Sequence, residues 1–146
     1  MSSAEVRRVL VVANRSAATP TLLDEVRRLA AERQSEFALL IPDAPRSDHT
    51  DWTLELAIPL LERAAGGPVE GLTGQEDPFE AIRSVVADGN YDLVMISTLP
   101  RRVSKWLRRD LPRRVETLGV PVQVITPDRE KLRDRVATGA GGMGIG

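Results

Sequence analysis

Five short strand-like segments, the strongest of them wholly aliphatic, separated by stretches of helical periodicity, constrain this chain more than any other feature. Val9–Ala13 reads VLVVA and is broken by the turn-forming residues Asn14 to Pro20. A short run without polar alternation suits a strand buried on both faces, as in a parallel sheet. Phe37–Ile41, stopped by Pro42, repeats the pattern. Val69–Leu72 reads as a shorter, weaker strand, Leu93–Ile96 as a fourth and Val120–Ile125 as a fifth.

The intervening segments carry helix signals. Pro20 and Thr21 open a helix whose apolar residues Leu22, Leu23, Val26, Leu29 and Ala30 fall on one stripe. Trp52 to Ala65 forms a second helix, with Leu54, Leu56, Ile58, Leu60 and Leu61; Pro59 kinks it or marks its first turn. Gly66, Gly67 and Pro68 end it. Asp77 and Pro78 start a third helix as N-cap and first helical residue, with Phe79, Ile82, Val85 and Val86 inward and Gly89–Asn90 at the close. Two helical pieces follow the fourth strand, broken at Asp110–Pro112. Strands alternating with helices make a doubly wound α/β sheet, and 146 residues suit one such domain. We expect an N-terminal extension over 1–7, the α/β domain over 8–127, and a tail over 128–146 with a short helix at Arg129–Ala137 before a glycine-rich end.

Composition excludes several chemistries. There is no cysteine, hence no disulfide scaffold, thiol nucleophile or cysteine-ligated metal. The single histidine, His49, lies in a polar loop with Asp43, Asp48 and Asp51 and reads as solvated, not as a base or metal ligand. No Walker loop or HExxH motif is present. No catalytic residue and no metal site are therefore assigned, and the chain is read as a non-enzyme. Met1–Arg8 holds no apolar run of signal-peptide length and no segment is long enough to span a membrane, so a cytoplasmic location is expected.

Net charge is −1, but residues 101–114 hold seven basic side chains (Arg101, Arg102, Lys105, Arg108, Arg109, Arg113, Arg114) against one acid, Asp110. This segment reads as a solvated helix face, an anion site or a surface for a protein partner. Lys105, Arg108 and Arg109 share a face by spacing, which turns Trp106 toward packing. One aromatic among arginines is too little for single-stranded nucleic acid, so nucleic acid is a disfavoured partner.

In an open parallel sheet, ligands lie beyond the carboxyl ends of the strands, where strand order reverses. The loops following the first, third and fourth strands, 14–21, 73–77 and 97–105, end at that edge and carry the unusual residues. The ligand-binding candidates are Asn14, Arg15, Ser16, Gly74, Ser97, Thr98, Arg101 and Arg102.

The segment Gly74-Gln75-Glu76-Asp77-Pro78-Phe79-Glu80-Ala81-Ile82, leading through Tyr91-Asp92-Leu93-Val94-Met95-Ile96-Ser97, resembles the "G-x-P-x-E-A-I … D-L-I-V-M-G" stretch of universal stress protein domains. Gly119-Val120-Pro121-Val122-Gln123-Val124-Ile125 is similar to their last strand, and the order of elements agrees over residues 8–126. The resemblance implies a five-stranded parallel sheet of order 3-2-1-4-5, an adenine-nucleotide pocket (ATP or AMP), and a homodimer through the last strand, here Val120, Val122 and Val124. Nucleotide-binding members carry Gly-x2-Gly-x9-Gly-Ser/Thr after the fourth strand. Here Ser97 and Pro100 stand at the first two glycine positions, and Arg109 or Asp110 at the third. Asp110 is expected to cap the helix that follows. The family's acid after the first strand is replaced by Asn14-Arg15-Ser16. The expected function is a non-catalytic regulatory domain with an arginine-lined anion pocket in place of a glycine loop. The alternative is a dimeric protein-interaction module with no nucleotide.

Overall fold

The aliphatic runs form one parallel sheet in the computed structural model, which describes residues 6–13, 19–42, 50–74, 77–98, 106 and 110–126. Its strands are β1 (Arg7–Val12), β2 (Ser35–Ile41), β3 (Val69–Thr73), β4 (Leu93–Ser97) and β5 (Val122–Ile125). They lie in the order β3-β2-β1-β4-β5, with every pair parallel. The helices bounded among the described residues are α1 (Pro20–Glu32), α2 (Thr50–Ala65), α3 (Pro78–Asp88) and α4 (Leu111–Glu116). The order reverses between β1 and β4, so their carboxyl ends frame the crevice.

Strand side chains alternate between two layers, which is why the central runs are apolar throughout. Val9, Val11, Phe37, Leu39, Ile41 and Met95 pack with Leu22, Val26 and Leu29 of α1 and Ala57, Leu61 and Ala64 of α2. Leu10, Val12, Leu40, Val94 and Ile96 pack on the other face with Ala81 and Ile82 of α3 and Leu111 and Val115 of α4. Trp106 is half-buried against this second layer, the packing role its spacing implied.

Local chemistry sets the helix ends. Thr19 and Asp77 have extended backbones, and their side chains accept from the amides of Leu22 and Phe79 at the starts of α1 and α3. Gly66, at φ +77°, closes α2 with its amide on the carbonyl of Glu62 at 2.8 Å. Pro59 is interior to α2, not in its first turn.

Asp110 departs from expectation. It precedes α4 but makes no capping bond with its side chain. Its backbone is left-handed, at φ 59° and ψ 37°, whereas a capping residue is extended, as Thr19 and Asp77 are. Its carboxylate instead lies 3.8 Å from the guanidinium of Arg113.

Long-range polar contacts tie the layers. Arg7, the first residue of β1, donates to the carbonyl of Leu29 at 2.8 Å, to Oγ of Ser35 at 3.2 Å and to Glu32 at 3.2 Å. It thereby adds a second donor to a carbonyl that already accepts from the Arg33 amide at 3.3 Å, and places a cation at the negative end of α1. The amide of Gln123 on β5 donates to Glu25 on α1 at 2.7 Å, and Glu25 also pairs with Arg28.

Candidate functional site at the carboxyl edge of the sheet

The crevice between β1 and β4 is built from the ends of two buried strands. β1 runs out at Ala13, which is fully buried and whose amide donates to the carbonyl of Leu40 at 3.2 Å. β4 runs out at Ser97 and Thr98, which are 1% and 2% exposed and are the only buried polar residues among those described. The amide of Thr98 donates to Ile125 at 2.8 Å, so its backbone is held in the β4–β5 ladder. Its hydroxyl finds no hydrogen-bond partner among the described residues. A buried hydroxyl left unpaired costs about 1–3 kcal/mol, so such a group is an exception needing a reason.

Helix ends add to the edge's electrostatics. Each helix of a doubly wound sheet that follows a strand starts at the carboxyl edge, where its free amides favour anions. α3 already places Asp77 and Glu80 in its own start. α1 has no acid in its first turn and only the neutral Thr19 as cap. Of these two helix starts, α1's is the one whose described first turn carries no acid, and α1 is the helix that follows β1 in the chain.

The candidate residues separate into three groups. Ser97 and Thr98 stand together at the switch point, next to the end of β1 from which Asn14 follows. Asn14, Arg15, Ser16, Arg101 and Arg102 lie outside the described residues. Gly74 ends β3, three strands from β4, about 14 Å away at the usual strand spacing. Its amide donates to Ile41 at 3.1 Å, and a Cβ there would meet the Cβ of Ala81 at 2.6 Å. Gly74 is thus engaged in packing β3 against α3.

A second cleft, of about 600 Å³, opens at the opposite, amino edge, where Arg8, Glu36, Glu70 and Tyr91 are among its lining residues. No local sequence signal marks it, because its members start three different strands or precede a fourth. Its one cation is engaged within the cleft: the Arg8 guanidinium lies 4.7 Å over the Tyr91 ring and 3.8 Å from Glu36. Burial pushes the Tyr91 phenol above its ordinary value, with the Arg8 charge opposing and Glu70 assisting. Among the described residues no group of three or more His, Cys, Asp or Glu is placed to hold a metal ion. Nor is any described helix long and apolar enough to cross a membrane. His49 and its neighbouring acids lie outside the described residues.

No protein-family model matches the chain, and no curated protein sequence matches it either. Solved structures do. A universal stress protein solved in complex with cAMP superposes with a TM-score of 0.64 at 15% identity, over 85% of this chain and 100% of that one. A universal stress protein from Archaeoglobus fulgidus gives a TM-score of 0.54 at 15% identity, over 82% and 94%. The strand order 3-2-1-4-5 and these superpositions agree with the resemblance carried by the α3–β4 and β5 segments: the chain has the fold of the universal stress proteins.

Proposed function

We propose that this domain is a non-catalytic regulatory module that binds an adenine nucleotide at the carboxyl edge of its sheet, between β1 and β4. The observation that carries the reading is the Thr98 hydroxyl, 2% exposed and without a partner among the described residues, at the point where strand order reverses. A ligand oxygen or ring nitrogen would satisfy it. The start of α1, with no acid in its first turn, favours a phosphate at the same edge. The fold neighbour in complex with cAMP supports an adenine nucleotide as the ligand class.

The grip differs from a glycine loop. Ser97 and Pro100 stand where glycines would let the backbone approach a phosphate, and proline has no amide to offer. In this reading side chains supply the donors: the guanidiniums of Arg15, Arg101 and Arg102, with Asn14, Ser16 and Ser97 as the further polar candidates. An arginine fork binds a phosphate through two parallel hydrogen bonds and needs no glycine.

The module is a homodimer through β5 in this reading. β5 is an edge strand, and Val124 is 39% exposed on it, with Val122 half-buried. Val120 is already buried within the chain, so Val122 and Val124 carry the contact. An apolar edge strand needs cover. The second reading, a dimeric protein-interaction module with no nucleotide, is favoured by the basic face of α4, where Arg113 is 81% exposed.

Thermal unfolding with ATP, AMP and cAMP at millimolar concentration separates the two. A ligand at a hundred times its Kd stabilises the folded state by about 2.7 kcal/mol, a readily measured rise in Tm. A rise with at least one nucleotide supports the binding module. No rise with any, together with no nucleotide in the mass spectrum of small molecules released from the purified protein, supports the interaction module.

A further inference from the structure

The outer face of α2 is left unexplained by a ligand at the carboxyl edge or a partner on β5. Its inner residues Ala57, Leu61 and Ala64 are buried on the sheet. Its outward residues Glu55, Leu56, Pro59, Leu60 and Arg63 are all exposed. Leu56 is 50% and Leu60 38% exposed, two of the three exposed large hydrophobics among the described residues. They lie one turn apart with Pro59 between them, on a single ridge. Scattered exposed leucines need no explanation, but an apolar ridge closed at each end by an opposite charge does.

The charges identify the occupant. Glu55 stands four residues before Pro59 and Arg63 four residues after it. Among the described residues neither makes an ion pair within the chain. In a two-fold contact residue i meets j and j meets i. An antiparallel pair of α2 helices whose axis passes through Pro59 sets Glu55 of each copy against Arg63 of the other, each about 6 Å along the helix from the axis. The leucines then meet across the centre. A parallel pairing would set Glu55 against Glu55 and is penalised. Pro59 suits the centre because its ring is apolar and exposed on the outer face of the helix.

We propose that the outer face of α2 is a self-docking surface, joining two copies of this chain across a two-fold axis at Pro59, with reciprocal Glu55–Arg63 pairs. α2 lies against β2 and β3, at the far side of the sheet from β5. The contact therefore does not compete with pairing through β5, and the two together build assemblies larger than a dimer. One helix pair buries less than a standard stable interface, so the association is weak and concentration-dependent.

The full chain has no cysteine, so one introduced thiol reports on one place. Pro59→Cys is expected to cross-link to itself under mild oxidant much faster than Arg83→Cys, a control on the exposed surface of α3. Equal rates would overturn the proposal. In sedimentation equilibrium of the full chain, Glu55→Arg is expected to weaken α2-mediated association about tenfold by opposing two like charges at each end. Adding Arg63→Glu to that variant restores it, since the reversed pair is again complementary. Failure of the double variant to recover, with native circular dichroism, would contradict the pairing. Val124→Glu serves as background throughout, so that loss of β5 pairing is not read as loss of this contact.

Discussion

The backbone at Gly74 passes so close to α3 that a Cβ built on it would stand 2.6 Å from the Cβ of Ala81 and 3.3 Å from a methyl of Leu40. Space, not backbone conformation, demands glycine here. Gly74→Ala is therefore expected to destabilise the fold by about 1–3 kcal/mol through overpacking. Ala81→Gly in the same chain should make the double change cost less than the sum of the two. Urea denaturation of the four proteins measures this. Strict additivity would show that the two residues are not in contact.

Arg7 joins β1, β2 and α1 through three hydrogen bonds, one of them to the Leu29 carbonyl. Its side chain is 14% exposed. Arg7→Ala should cost about 1–3 kcal/mol in urea denaturation, the range for a part-buried charged donor. Arg7→Lys should recover only part, because an ammonium cannot span the same acceptors as a planar fork. Full recovery by lysine would mean that charge alone matters at the end of α1.

Tyr91 is the only tyrosine, so tyrosinate absorbance titrates one group. Burial holds its phenol above the ordinary value of 10.0. The folded state thus keeps the proton more tightly than the unfolded one. The associated stability is fully present below pH 10.0 and declines as pH rises through the folded value. The absorbance midpoint should lie above that of the urea-unfolded chain. Tyr91→Phe should flatten this part of the alkaline decline. A midpoint equal to the unfolded chain's would refute the burial.

Asp110 occupies left-handed backbone without a capping bond. Asp110→Gly is expected to leave stability unchanged or to raise it by up to about 1 kcal/mol, whereas Asp110→Val should lower it by about 1–2 kcal/mol. A loss on Asp110→Gly would mean that the weak contact with Arg113 outweighs the backbone strain.

These residues also show what the sequence could and could not disclose. Asp77-Pro78 and Asp110-Leu111-Pro112 look alike as helix starts. The first caps and the second does not, because φ and ψ at the capping position decide whether the carboxylate reaches the amides, and tertiary packing sets those angles. The three central strands β1, β2 and β4 were legible because burial on both faces leaves uninterrupted aliphatic runs, whereas the edge strand β3, VEGLT, is mostly exposed and carries only a weak signal. The faces of α2 were not legible: Leu54, Leu56, Ile58, Leu60 and Leu61 surround the helix, and only docking on β2 and β3 leaves Leu56 and Leu60 outside. Contacts such as Gln123–Glu25, 98 residues apart, have no local signal. Of the candidate site, Ser97 and Thr98 were placed by the rule that ligands lie at strand ends. The engagement of Gly74 by Ala81 depends on how α3 lies on the sheet, which no motif records.

Thr98→Val keeps shape and removes the unpaired hydroxyl. Without ligand it should be as stable as the parent or more so, by up to about 1–3 kcal/mol. In the presence of nucleotide its rise in Tm should be smaller than the parent's. A ligand-free destabilisation would reveal a partner for the hydroxyl within the protein.

In the proposed function, side chains and not glycine-lined backbone hold the phosphate. Calorimetric titration of AMP into the parent chain and into Arg101→Ala/Arg102→Ala tests it most directly. Saturable binding by the parent is expected, with a Kd weakened about tenfold or more in the double variant through loss of charge-assisted forks on a phosphate. Equal affinity in the two proteins, or no heat from the parent at millimolar AMP, would contradict it.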